Sequence, residues 1–120
     1  MNTDIRDDKQ GSARNELSAE VIFDLLSIRR RRQAMYFLTD QVGAISLYEL
    51  SDALTVWETG DRDRHRQRIA TGLYHRHLPK LVEAGVVEHD SKTDAIELLP
   101  AAEQLQPYLD LAARDDARSV

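Results

Sequence analysis

With 120 residues, 42% of them apolar, and a formal net charge of -5, the chain has material for one domain around one hydrophobic core. It has no cysteine, which excludes a disulfide framework, a thiolate zinc site and a cysteine nucleophile together. The polar start from Met1 to Asp8 lacks the apolar centre of a signal peptide, and no apolar run approaches the roughly 20 residues that cross a bilayer, so the cytoplasm is expected and no membrane partner is.

Residues 1–17 are polar and aperiodic and read as an N-terminal arm. Ser18 then caps a helix in which Val21, Ile22, Leu25 and Leu26 recur at helical spacing and Glu20 favours the positive end. Arg29 to Arg32 follow and lead into Gln33 to Leu38, a second apolar helical stretch that ends near Asp40 and is broken by Gly43. Ala44-Ile45 is a short extended piece.

Ser46-Leu47-Tyr48-Glu49 spells a capping box, opening a helix with Leu47, Leu50, Leu54 and Trp57 on one stripe and Thr59-Gly60 as its stop. Asp61 is placed to cap the next helix, which runs to about Ala84. Read as a straight rod, it has Tyr74, Leu78, Leu81 and Val82 as its core stripe, with Ala70 beside them. Ile69 and Leu73 fall off that stripe and imply a second buried face. Pro79 is expected to kink or split the rod, because its ring costs a hydrogen bond to the previous turn.

After Ala84-Gly85, the runs 86–89 and 95–99 are β-prone and joined by a polar turn, Asp90 to Asp94. Pro100 begins a last amphipathic helix with Leu105, Leu109 and Ala112 in line, Tyr108 alongside and Pro107 as a flaw within it; residues 114–120 read as a frayed tail. The fold class is therefore mainly α with a small β-hairpin (α+β). Its architecture is a winged helix-turn-helix over residues 18–99, followed by a C-terminal amphipathic helix over 100–113.

The segment His77-Leu78-Pro79-Lys80-Leu81-Val82-Glu83-Ala84-Gly85-Val86-Val87-Glu88 is similar to the end of the recognition helix in bacterial and archaeal winged-helix regulators of the ArsR and MarR type. Phe23-Asp24-Leu25-Leu26-Ser27, Arg29 to Arg32, Leu47 with Leu50, Trp57-Glu58 and Leu73-Tyr74 extend the likeness. Over about residues 17 to 99 the chain resembles a haloarchaeal winged-helix family of unknown function. The resemblance implies the fold and a DNA-binding role, and names neither operator nor effector.

An acidic total argues against a nucleic-acid partner until its distribution is considered. The 16 basic residues comprise 13 Arg and 3 Lys, with Arg concentrated at Arg29 to Arg32 and Arg62 to Arg68 and acids at both ends of the chain. A Lys-poor, Asp-rich surface with a local basic patch is the pattern of a salt-adapted protein, although a GC-rich genome also enriches Arg over Lys. Arg62, Arg64, Arg66 and Arg68, with Gln67 between, oppose their helix dipole by roughly 0.3–1 kcal/mol each, and phosphate is the partner that favours them there. Thr71, His75 and Arg76 follow along the same helix, with Lys80 beyond them and Lys92 in the wing turn.

Double-stranded DNA is thus the expected partner, with helix 62–77 in the major groove and wing 86–99 beside it. Against this stands a solvated mixed-charge face, since Asp61 and Asp63 interleave with the arginines. Arg29 to Arg32 point in four directions, so one or two are expected on the DNA backbone and the others on Asp24 or Asp40. His75 and His77 lie two apart and diverge, and no metal or other cofactor is expected. No nucleophile elbow, phosphate loop or paired carboxylates argue for an enzyme. The stripe Leu105, Tyr108, Leu109 and Ala112 is expected to form a homodimer contact. The rival reading is a winged-helix protein–protein interaction module that binds no DNA.

Overall fold

The computed structural model describes residues 16–58 and 62–118, the side chains of 62–64 and 118 excepted. Helix α1 (Ala19–Leu26) opens at Ser18, whose Oγ accepts the Val21 amide at 3.2 Å. Helix α2 (Arg29–Thr39) begins after a break at Ile28, which is extended (φ -103°, ψ 121°). The break leaves carbonyls at the end of α1 short of the i to i-4 donors of a continuing helix, and two arginines of α2 reach back to them. Arg31 donates to the carbonyls of Leu25 and Asp24 at 2.7 Å each, and Arg32 to that of Leu26 at 2.7 Å.

Helix α3 (Leu47–Glu58) starts at the expected capping box. The Glu49 amide donates to Ser46 Oγ at 3.0 Å, and the Ser46 amide to Glu49 Oε1 at 2.8 Å. The Thr59-Gly60 stop and the Asp61 cap lie outside the described residues. Helix α4 (Arg62–Gly72), a π turn (Leu73–His77) and helix α5 (Leu78–Glu83) then follow without interruption. Pro79 thus does not break the rod; it occupies the first turn of α5, directly after one turn widened by an i to i-5 bond, Leu78 N–H to Leu73 C=O.

That turn corrects the expected core stripe. Ile69, Leu73, Leu78 and Leu81 are all buried, whereas Tyr74 is 45% exposed; Val82, expected on the stripe but lying beyond the turn, is 41% exposed at the edge of the Leu78 and Leu81 face. An α-helix advances about 100° per residue, and a π turn absorbs about one residue, so everything after it is rotated back by that amount. Ile69 and Leu73 therefore belong to the same face as Leu78 and Leu81, not to a second one.

Gly85, at φ 81°, turns the chain into strand β1 (Val87–Asp90), which pairs antiparallel with β2 (Ala95–Leu98) in the register Val87↔Leu98 to Asp90↔Ala95. The short extended piece at Ile45 bridges Ile96 by two backbone bonds of 2.9 and 2.8 Å, tying the hairpin to the start of α3. Asp94 tightens the same joint. Held at φ 55°, it accepts the Leu47 amide at 3.0 Å and contacts His89 Nε2 at 3.3 Å.

Pro100 starts a 3-10 segment (Pro100–Leu105) that passes into α6 (Gln106–Arg118), and Pro107 falls at the second residue of α6. At that position, where 3-10 geometry gives way to α, the fixed φ of proline suits the first turn. The described residues thus form a mainly helical body with one antiparallel hairpin, a winged-helix-like α+β layout.

Three expectations for the ends and the last helix are corrected. Leu17, expected in the arm, packs on the core, and its amide donates to Gln104 Oε1 at 2.8 Å; residues 1–15 lie outside the described residues. The expected frayed tail is helical to Arg118. Leu105 and Leu109, expected at a dimer contact, are 0% and 1% exposed within this one chain, because α6 folds back on α2. Of that stripe, Ala112 is half-buried and Tyr108 is exposed, edge-on to Phe23 at 5.9 Å between ring centres.

Candidate nucleic-acid interface

The four arginines at the start of α2 are all engaged within the chain. Arg30 pairs with Glu58 through bonds of 2.8 and 3.0 Å. Arg31 is buried on the α1 carbonyls, and burial pushes its pKa down, with nearby Asp24 opposing. Arg32 makes a two-pronged contact with Asp116, and Arg29 approaches the same carboxylate at 3.9 Å. Neither the Asp24 nor the Asp40 carboxylate expected as a partner takes a hydrogen bond from these guanidiniums; the acceptors come from α3, α6 and the α1 carbonyls. This run staples helices.

The face of α4 is different. Arg66, expected on DNA, turns to α3 instead: it lies 3.6 Å from Asp52 and sits over the Tyr48 ring at 4.6 Å. The Arg62 and Arg64 side chains lie outside the described part, although their backbone is in α4. Gln67, Arg68, Thr71, His75 and Arg76 are exposed, and the Thr71 hydroxyl donates back to the Gln67 carbonyl at 2.9 Å. With Ile69 and Leu73 turned into the core, Gln67, Arg68, Thr71 and His75 fall on the opposite side of the rod.

From Arg64 to Val82 the chain contains no Asp or Glu, in a protein whose Asp and Glu total 21. The exposed arginines Arg68 and Arg76 form no ion pair with any described residue. Lys80 stands apart, lining a groove of about 370 Å³ with Glu20, Asp24 and Glu83 between α1 and α5. Lys92 is exposed at the hairpin turn, where its amide donates to Asp90 Oδ1 at 3.0 Å. The hairpin itself is acidic outward: Glu88 and Glu97 are exposed and directly paired across the strands.

Tyr74, expected in the core, is exposed beside the rod's core face. It stands at the junction of rod and hairpin, edge-on to His75 at 4.9 Å and to His89 at 6.0 Å between ring centres. The one sequence signal for its position is Pro79, the residue around which the turn widens. His77 points the other way: it is buried, with Nδ1 lacking any partner. Burial, then the positive charges of Arg31, Arg30 and Arg76, pushes its pKa down to about 4. Among the described residues no three His, Asp or Glu side chains stand together as a metal ion requires, and no helix is long and apolar enough to cross a membrane.

The arrangement is an acid-free, donor-rich helix face with a cationic turn beside it, mounted on a body in which Arg29 to Arg32 are engaged within the chain. No curated protein and no solved structure matches the chain. A family profile matches residues 23–97, from within α1 to within β2, which leaves α6 outside the match. The match spans well over half of the chain, which belongs to the family of domains of unknown function DUF7344.

Proposed function

We propose that this protein is a DNA-binding transcription regulator of the ArsR and MarR kind, working as a homodimer in a salt-rich cytoplasm. The observation that carries the reading is the surface of the rod: Gln67, Arg68, Thr71, His75 and Arg76 are exposed on a stretch without a single acid. Arginine forks take phosphate or guanine edges, while Gln and Thr read bases by donating and accepting. An acidic body repels the duplex elsewhere, so the helix and Lys92 become the route of approach.

A second copy is proposed on the outer side of α6 rather than on its leucine stripe. Leu111 is 69% exposed, with Tyr108 and Phe23 exposed nearby. In an antiparallel pairing of α6 about Leu111, Arg114 of one copy meets the partner's Tyr108, three residues to either side. A dimeric reader of this kind needs its two rods on successive groove turns, roughly 34 Å apart.

The rival reading, a protein-interaction module, is favoured by the end of α3, where the neighbouring Val56 and Trp57 are both exposed. Fluorescence anisotropy with duplex genomic fragments across a KCl series separates the two. Binding that weakens with salt and with Arg68→Ala supports the regulator. Folded protein that binds no duplex at the lowest salt leaves the interaction module.

A further inference from the structure

We propose that Pro79 is a positioning residue: it holds the π turn open, and the π turn decides which face of α4 looks outward. In an unbroken α-helix the amide at position 79 donates to the carbonyl of His75. Proline has no amide hydrogen, and its ring collides with that carbonyl. The chain meets this by closing the preceding turn with Leu78 N–H to Leu73 C=O, one residue longer than an α turn, and resuming α geometry at Leu78. Pro79 is itself exposed, so it acts through the backbone and not by packing.

The consequence is a matter of phase. In a straight α rod, at about 100° per residue, Ala70, Tyr74, Leu78 and Leu81 share one face. Burying Leu78 and Leu81 then drags Tyr74 inward and brings Ile69 and Leu73 out. With the widened turn, Ile69, Leu73, Leu78 and Leu81 are buried together, at 2%, 0%, 1% and 0% exposure. Closing the turn to α rotates α4 by about 100° against α5, withdrawing Gln67 and Thr71 towards the core. It also pulls Arg66 from Asp52 and Tyr48, the contacts that key α4 to α3. The phase stands on packing alone; its bearing on DNA rests on the regulator reading above.

A cysteine-free chain allows single-thiol probes. Maleimide labelling of Tyr74→Cys is expected to be at least about tenfold faster than that of Ile69→Cys in the parent. In the Pro79→Ala background the order reverses. A second variant, Pro79→Ala with Arg76 deleted, removes the surplus residue along with the proline and is expected to restore the parental order. Parental labelling in Pro79→Ala overturns the proposal, and so does a double variant that fails to fold or keeps the reversed order. Duplex binding is read in parallel by anisotropy. A reversed labelling order in a protein family that binds no duplex, parent included, sinks the regulator reading and leaves the role of Pro79 standing.

Discussion

Arg32 and Asp116, 84 residues apart, meet in a bidentate pair, with Nε and Nη2 each 2.9 Å from a carboxylate oxygen. The same carboxylate accepts the Tyr36 hydroxyl at 2.6 Å, and its side chain is 13% exposed. The Arg32 hydrogen bond, with smaller help from Tyr36 and Arg29, holds the Asp116 carboxyl below its usual range against the opposing effect of burial. Tyr36 is pushed up to about 12, first by burial and then by that carboxylate.

Asp116→Ala is therefore expected to loosen α6 from α2. Losing charge-assisted bonds at a largely covered site costs about 2–3 kcal/mol, read as a lower urea midpoint with unchanged slope. The Tyr36 hydroxyl should also ionise at lower pH in this variant, which ultraviolet titration at alkaline pH detects. An unchanged midpoint and an unchanged tyrosine titration would show the pair to be decorative.

His77 makes the fold acid-sensitive in a defined window. Its folded pKa lies near 4, against 6.5 unfolded, so between these values the unfolded chain binds more protons. The contribution is whole above pH 6.5 and is lost as pH falls towards 4. Asp116 acts lower, since its depressed carboxyl releases stability only as pH drops through and below its ordinary 3.8. Denaturation of the parent and of His77→Leu across this range is the check. The variant should flatten the upper window, and by removing an unpartnered buried nitrogen it should be as stable or up to about 2 kcal/mol more so at neutral pH.

Asp94 joins hairpin to helix, capping α3 through Leu47 from a left-handed backbone position. Asp94→Ala loses the cap and strains the backbone, for a cost of about 2 kcal/mol. Asp94→Asn keeps an acceptor and tolerates that conformation, so about half the loss is expected. Thermal melts rank the three proteins; equal losses for Ala and Asn would refute the backbone part.

On duplex DNA, Arg68→Ala and Arg76→Ala are each expected to lower the slope of log affinity against log salt by about 1. Arg29→Ala is the control: its guanidinium is half exposed but is held by Asp116, and it should leave the slope alone. Gln67→Ala should alter preference among sequences more than the salt slope. Equal effects from all four would mean binding without an oriented helix.

Leu111→Asp should dissociate the proposed dimer while leaving the melting curve of the monomer nearly intact, as sedimentation and circular dichroism together reveal. Leu109→Asp should instead unfold the chain, because that side chain is buried within the monomer. A Leu111→Asp protein of unchanged mass in solution removes α6 from the assembly.

Signals carried within one or two turns were legible in the chain alone. Ser18, the Ser46–Glu49 box, Gly85 and the two β-prone runs act through bonds between near neighbours, and each formed where it was read, the first strand one residue later at Val87–Asp90. What tertiary structure decided was where the side chains of those elements went. A periodicity count presumes a constant turn, so it could not see the one widened turn at Leu73–His77 that sends Ile69 and Leu73 inward and Tyr74 outward. Charge counting likewise treats every arginine alike. Which of them remain available follows from partners brought together by folding: Glu58 and Asp116 claim Arg30 and Arg32, Asp52 and Tyr48 claim Arg66, and among the described residues no carboxylate claims Arg68 or Arg76.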